Sequence, residues 1–338
     1  MSKIMLYGCG GAGINVISKF LQYRNKHEQG YSDFDLCFVD TSHSNIKENI
    51  PADLVYHIDG LDGSGKKRDS NYKPISERVK DIAQKYKPGD INLVVHSASG
   101  GSGSVIGPIL AGEISAKHPT IVVLVGSSDS KIETDNTIKT IKSYDAITKK
   151  KGWPLAALYF ENNANTGRAV VDNSVHIAII LISILFSGSN AELDSADLNN
   201  FLHYNKVTSY EPALCALHFG SKEISTEKDQ TVASVVSLTS IDIPAVLNIP
   251  VEYQAVGFID DAIKEVVTSS SGNIYNVLDK DLGLPLHFYT VLGYFNKKVE
   301  ELNHKLNGYI EHRATITQKS VVSEDETNNI ENEHGLLF

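Results

Sequence analysis

Cysteine, methionine and tryptophan are scarce in this chain, with three, two and one respectively in 338 residues. Cys9, Cys37 and Cys215 are odd in number, far apart and never in a CxxC pair, which excludes a disulfide framework or a zinc site and fits a reducing cytoplasm. Long apolar runs are missing too. The longest uncharged one, Val175 to Phe186, falls short of the roughly 18 residues that span a bilayer. The N-terminal run before Gly8, about five apolar residues, is too short for a signal peptide, so a soluble protein without membrane contact is expected. Basic residues are outnumbered: 31 Lys and Arg stand against 41 Asp and Glu, a net charge of −10. That sign opposes a grip on phosphate backbones, so no direct nucleic-acid partner is expected.

The composition that remains is globular. Hydrophobic residues make up 41% and charged residues 21%, which excludes a largely disordered, collagen-like or coiled-coil chain. The length predicts two domains, or one with a large appendage. From Lys3 to Phe160, apolar or β-branched runs at Lys3–Gly8, Phe34–Val39, Ile91–Val95, Thr120–Val125 and Leu155–Phe160 alternate with helical spacings at Ile14–Tyr23, Val105–Ala116 and Asp135–Lys149. This alternation predicts a parallel sheet with helices on both faces and ligands at the C-terminal strand ends. Val175–Phe186 reads as a buried helix, and Asp194–Leu202 as a short helix with an Asp N-cap. Farther on, strands are expected at Ala213–Phe219 and Tyr253–Ile259. Leu292, Phe295, Val299, Leu302, Leu306 and Tyr309 step by three and four, and with Pro285 in the first turn they predict one long helix from about Pro285 to Arg313. Beyond Ile316 the periodicity stops, and Glu324, Asp325, Glu326, Glu331 and Glu333 face a single Lys319, a composition expected to be disordered alone.

Three glycine loops carry the candidate chemistry. Gly8-Cys9-Gly10-Gly11-Ala12-Gly13 satisfies GxGxxG between a strand and a helix, where backbone amides and the helix N-terminus favour a phosphate. With Asp40 ending the second strand, it also suits a nicotinamide dinucleotide. A tight β–α turn without ligand is the bland alternative. The second loop, Gly60 to Lys67, approaches a Walker A motif but places Lys67 where a hydroxyl should meet Mg²⁺. It reads as a flap holding Gly63, Gly65, Lys66, Lys67 and Arg68 near a terminal phosphate, or equally as a solvated loop. The third, Ser97-Ala98-Ser99-Gly100-Gly101-Ser102-Gly103-Ser104, again lies between a strand and a helix. Two such loops on neighbouring strands can wrap a polyphosphate from both sides, whereas a nicotinamide enzyme needs one.

The block Ser99 to Ser104 resembles the glycine-rich signature of tubulins, and Gly10-Gly11-Ala12-Gly13 followed by Asn15 agrees with it. The chain is thereby similar to the tubulin and FtsZ superfamily of GTPases. The resemblance implies GTP or GDP with Mg²⁺, cradled by Gly10, Gly11, Ala12, Gly13, Asn15, Gly63, Gly65 and Lys66, and by Gly100, Gly101, Ser102, Gly103 and Ser104. It implies a ribose loop at 127–133 with Glu133 as hydroxyl acceptor, a further loop at 162–165 beginning at Asn162, and a core helix starting near Asp172-Asn173 with Asn173 reading the guanine edge. Read without the family, Asn173 is a plain helix-start residue. Glu192 to Leu198 is similar to the family's synergy loop, with Glu192 in place of asparagine. In the family the acids corresponding to Asp194 and Asp197 enter the next subunit's pocket and orient the attacking water; on their own they read as an N-cap and a first-turn acid.

The resemblance therefore implies a GTPase that polymerises head to tail, its tail touching the neighbouring subunit. The phage-encoded members are the nearest likeness, through the serine form of the third loop followed by Val105-Ile106-Gly107-Pro108, Thr166-Gly167-Arg168, the helix from Pro285 and the acidic tail. They would act in the host bacterial cytoplasm, positioning phage material. The implied architecture is an α/β GTP-binding domain over 1–172, a central helix and synergy loop over 173–204, a smaller α+β domain over 205–284, a long helix over 285–315 and the tail 316–338. A Rossmann-type NAD-dependent oxidoreductase and a non-hydrolysing tubulin-like structural protein are the alternatives.

Overall fold

The computed structural model describes residues 2–24, 32–162, 166–188, 190–240, 245–259 and 284–317. The first half runs β1 (Lys3–Cys9), α1 (Gly10–Ile17), β2 (Asp33–Asp40), β3 (Val55–His57), α2 (Tyr72–Lys85), β4 (Ile91–Ser97), α3 (Gly103–Ile114), β5 (Thr120–Ser127), α4 (Lys131–Lys151) and β6 (Leu155–Asn162). It continues through α5 (Arg168–Leu185), β7 (Asn190–Ala191), α6 (Ser195–Leu202), β8 (Leu214–Gly220), β9 (Thr231–Thr239), β10 (Gln254–Ile259), β11 (Leu286–Leu292) and α7 (Tyr294–Thr317).

These strands form one sheet in the order β3-β2-β1-β4-β5-β6-β8-β11-β9-β10-β7. From β3 to β8 every pairing is parallel. Such strands are buried on both faces and read as continuous apolar runs, as β5 and β1 do. Between β1 and β4 the strand order reverses, and in sheets of this kind ligands bind beyond the strand ends at that switch point. The parallel β6–β8 pairing, Leu155 to Ala157 against Leu214 to Ala216, carries the sheet into the second half, where β11 lies antiparallel between β8 and β9.

One face packs α1 with the 3-10 turn after it, α5 and α6 through Ile14, Phe20, Val175, Ile179, Leu181 and Phe201. The other packs α2, α3, α4 and α7 through Ile75, Ile106, Tyr144 and Leu302. Among the described residues, α5 is the one helix long and apolar enough to cross a membrane, and 67% of it is buried inside the protein, as for a core helix.

The long helix expected from Pro285 is corrected. Leu286 to Leu292 is a strand bonded on both sides, and the helix starts at Tyr294. The segment Leu-His-Phe-Tyr-Thr-Val-Leu is rich in aromatic and β-branched residues that suit a pleated surface. Gly293, at φ +82, then makes the left-handed break that a helix interior would not contain. Within α7 the apolar stripe holds: Phe295 and Leu302 are buried, and Val299 and Leu306 pack against the same cluster. Residues 318–338, most of the expected tail, lie outside the described residues.

Candidate functional site

Because β1 and β4 are neighbours, the loops that follow them meet at their C-terminal ends. The contact is backbone to backbone. Gly10 sits at φ +70, and a Cβ there would lie 2.8 Å from the Gly103 amide nitrogen, so only glycine lets the two loops close to this distance. Gly13, one turn on, lets α1 lie directly on the Val95 carbonyl.

Two contiguous cavities result. The smaller, about 200 Å³, is lined by Gly10, Gly11, Ala12, Gly63, Gly100, Gly101, Ser102 and Gly103, together with Asp40, Asn45 and Ser64. Its backbone amides and paired helix starts favour an anion. The larger, about 600 Å³, falls in the range of small-molecule sites and extends along Asn15, Lys66, Glu133, Asn162, Thr166, Gly167, Arg168, Val171 and Asp172.

Each expected residue has a definite place. Gly10, Gly11, Ala12, Asn15, Gly63, Lys66, Gly100, Gly101, Ser102, Gly103, Glu133 and Asn162 line the cavities. Gly13 and Ser104 shape them from behind, Ser104 donating to the carbonyls of Gly100 and Gly101 at 2.6 and 2.9 Å. Gly65 stays in the turn of the flap, with φ +54. Lys66 reaches from the flap across to α4 and pairs with Glu133 at 2.6 Å. Burial pushes the Glu133 carboxyl upward, but the bond and charge of Lys66, with bonds from Ser127 and Ser130, hold it below the usual carboxylate value. Glu133 is thus an anionic acceptor at the cavity edge. Residues 163–165 lie outside the described residues.

Two expectations are corrected. Asn173 is exposed and absent from the cavity lining, while Asp172 lines it and accepts from Asn15 Nδ2 at 2.5 Å. The cause is helix phase. The core helix begins at Arg168, a turn before Asp172, so Arg168, Val171 and Asp172 share the cavity face and Asn173 turns away. Arg68 does not approach a phosphate either. It is 4% exposed, and its guanidinium donates to the Ser104 carbonyl at 3.1 Å, to Thr140 Oγ1 and to Ser143 Oγ, tying the flap to α3 and α4. Lys67 is exposed outside the lining.

Asp40, which a dinucleotide would need for its ribose, is 1% exposed and already accepts from Thr41 N and Asn45 Nδ2, both at 2.7 Å. Asn45, Asp129, Thr166 and Asp172 were not singled out from the sequence as ligand contacts. Only Asp172, adjacent to the chosen asparagine, carried a signal there.

Asp194 and Asp197 form a capping box on α6. Asp194 Oδ1 accepts from Ala196 N and Asp197 N at 2.7 and 3.0 Å, and Asp197 Oδ2 accepts from Asp194 N at 3.2 Å. Neither lines the cavity. The helix between them and the cavity, α5, has 18 residues, about 27 Å of length at the usual rise.

A two-loop anion cradle at the switch point of a parallel sheet, prolonged toward a carboxylate at the start of a core helix, has the geometry of a nucleotide-binding site. Residues 3–149 match the Tubulin/FtsZ family, GTPase domain. Over these residues the chain is similar to that GTPase domain, and the two glycine loops that line the smaller cavity lie within the match. Among relatives, it is 28% identical over 256 residues to the phage tubulin-like protein of Pseudomonas phage phiKZ, covering 71% of this chain and 75% of the relative. It is 29% identical over 225 residues to that of Pseudomonas phage PhiPA3, covering 65% and 68%. Its fold matches the protofilament of TubZ from bacteriophage PhiKZ with a TM-score of 0.77 over 99% of both chains at 24% identity. It likewise matches the phage tubulin PhuZ with GDP, with a TM-score of 0.75 over 99% and 98% at 19% identity.

Proposed function

We propose that this chain is a phage tubulin: it binds GTP between the β1 and β4 loops, polymerises head to tail, and hydrolyses GTP where Asp194 and Asp197 of one subunit meet the nucleotide of the next. The carrying observation is the span of α5, which puts roughly 27 Å of rigid helix between the cavity and the acids. Acids so placed serve a second copy, and a head-to-tail contact of this kind repeats into a filament. The relatives' protofilament and filament structures support the same reading.

In the pocket, Gly10 to Ala12 and Gly100 to Gly103 take the phosphates, Glu133 and Asn162 face the sugar, and Asp172 with Asn15 reads the base. Among the described residues no group of three His, Cys, Asp or Glu could hold a metal. Mg²⁺ commonly keeps waters and substrate phosphates as most of its ligands, so the donor set fits an ion that arrives with the triphosphate, and Asp40 is a carboxylate that lines the phosphate end of the cavity. The ion would neutralise developing phosphate charge. Asp197 would position or activate the attacking water, with Asp194 beside it. The tail would contact the neighbouring subunit, and the filament would position phage material in the cytoplasm of the infected bacterium.

Right-angle light scattering of the purified chain tests the reading. Scatter should rise with GTP and not with GDP, ATP or NAD; scatter indifferent to nucleotide would overturn it.

A further inference from the structure

The acids on α6 are gripped from an element that no glycine loop or synergy motif includes. Tyr253, just before β10, places its hydroxyl 3.1 Å from Asp197 Oδ1 and 3.3 Å from the Asp197 carbonyl oxygen. We propose that Tyr253 is a positioning residue for GTP hydrolysis, holding the Asp197 carboxylate in the orientation it presents to the neighbouring subunit's nucleotide. This rests on the reading of Asp197 as the acid that acts in trans.

The geometry is over-determined in a way that capping alone does not require. The Asp194 amide already satisfies Oδ2 of Asp197, completing the capping box. Tyr253 adds a second hold on the other oxygen, so rotation about the last side-chain bond is blocked from both sides. Burial, then the bond to Asp197, push the phenol up to about 12, so it remains a protonated donor throughout the neutral range.

Tyr253 is itself anchored. Its carbonyl accepts from Val235 N at 2.9 Å, which fixes the backbone to β9. The preceding Glu252 takes Ser209 N and Ser209 Oγ at 2.6 and 2.5 Å, pinning the segment to the loop after α6. The ring packs against the core cluster shared with α5 and α6. A catalytic carboxylate must hold its geometry without reorganising when its target arrives, and a small misplacement costs rate far more than binding. A donor anchored at the entry to β10 supplies that constraint.

The test compares Tyr253→Phe, Asp197→Ala and the double variant in GTP turnover per assembled subunit, critical concentration for assembly, GTP affinity and thermal midpoint. Tyr253→Phe keeps the ring and removes one oxygen. It is expected to lower turnover about tenfold, the lower end for losing a residue that orients an active ligand, with critical concentration, affinity and midpoint unchanged. The double variant should be no slower than Asp197→Ala alone. Native turnover in Tyr253→Phe alongside a slow Asp197→Ala overturns the inference and leaves Asp197 in its role. Native turnover in Asp197→Ala overturns both. Additive losses in the double variant, or a fall in turnover matched by lost assembly or a lower midpoint, assign Tyr253 to packing and overturn the inference.

Discussion

Replacing Asp172 by alanine separates base recognition from every other contact in the pocket. Asp172 lines the cavity from the second turn of α5, with Oδ2 accepting from Asn15 Nδ2. Guanine offers a carboxylate two adjacent N–H groups, N1–H and the 2-amino group, whereas adenine has an unprotonated N1 and a C–H at the same two positions. A hydrogen bond to a charged acceptor is worth about 1.5–3 kcal/mol. Two of them sharing one carboxylate that must shed water come to about 3 kcal/mol, roughly a hundredfold in Kd. Calorimetric titration with GDP and with ADP in parallel reads this directly. Asp172→Ala should weaken GDP about a hundredfold, leave ADP nearly unchanged and so erase most of the selectivity. Asn173→Ala, one residue on and facing solvent, should leave both affinities alone. An unaltered GDP affinity in Asp172→Ala, or equal losses toward GDP and ADP, refutes the assignment.

Gly10→Ala should cost about 1–2 kcal/mol from the left-handed backbone alone, and, because its Cβ meets the Gly103 amide, should also abolish nucleotide binding; native GDP affinity would contradict the two-loop cradle. His96 is fully buried between Ser97 O and Tyr144 Oη, and burial pushes it down to about 4. Above pH 6.5 it is neutral folded or unfolded; as pH falls toward 4 only the unfolded chain gains the proton, so stability should drop by up to about 3 kcal/mol. Urea unfolding across that window should show the slope, and His96→Gln should flatten it; an equal slope in both proteins would refute the account. Deleting residues after Ser320 should raise the critical concentration for GTP-driven assembly while sparing nucleotide binding, and added salt should weaken assembly of the full chain more than of the truncated one. Identical assembly of the two at all salt concentrations would reduce the tail to a solubilising extension.

The α/β half of the fold was legible because its two determinants are local. Buried parallel strands leave uninterrupted apolar runs, and each functional loop announces itself by glycines at a strand-to-helix junction, as at 8–13 and 97–104. The adjacency of those loops could be expected from a polyphosphate's needs, and the β1–β4 pairing supplies it. What was not legible depends on contacts from far along the chain. Nothing in Arg68's own neighbourhood distinguishes a phosphate ligand from a buried strut; its partners Thr140 and Ser143 lie some seventy residues away on α4. Tyr253 likewise has no local mark, since its partner is 56 residues earlier.

The two positional misreadings have one physical origin, the phase of a helix whose start was misplaced. Side chains three and four apart share a face, so moving a helix start by a few residues leaves the stripe intact while changing which residues lie at the end. At α7 the stripe Phe295, Val299, Leu302 and Leu306 survived, and only Leu292, beyond the Gly293 break, had been borrowed from a strand. At α5 the consequence reaches the chemistry. Gly167 leads into Arg168 at an extended φ and ψ, which starts the helix one turn earlier than a start at Asp172-Asn173. Counting from Arg168, the cavity face recurs at 171 and 172 and passes by 173. On the proposed reading the group offered to the base changes from an amide, which both donates and accepts, to a carboxylate, which only accepts, and a purely accepting group is the better discriminator against adenine.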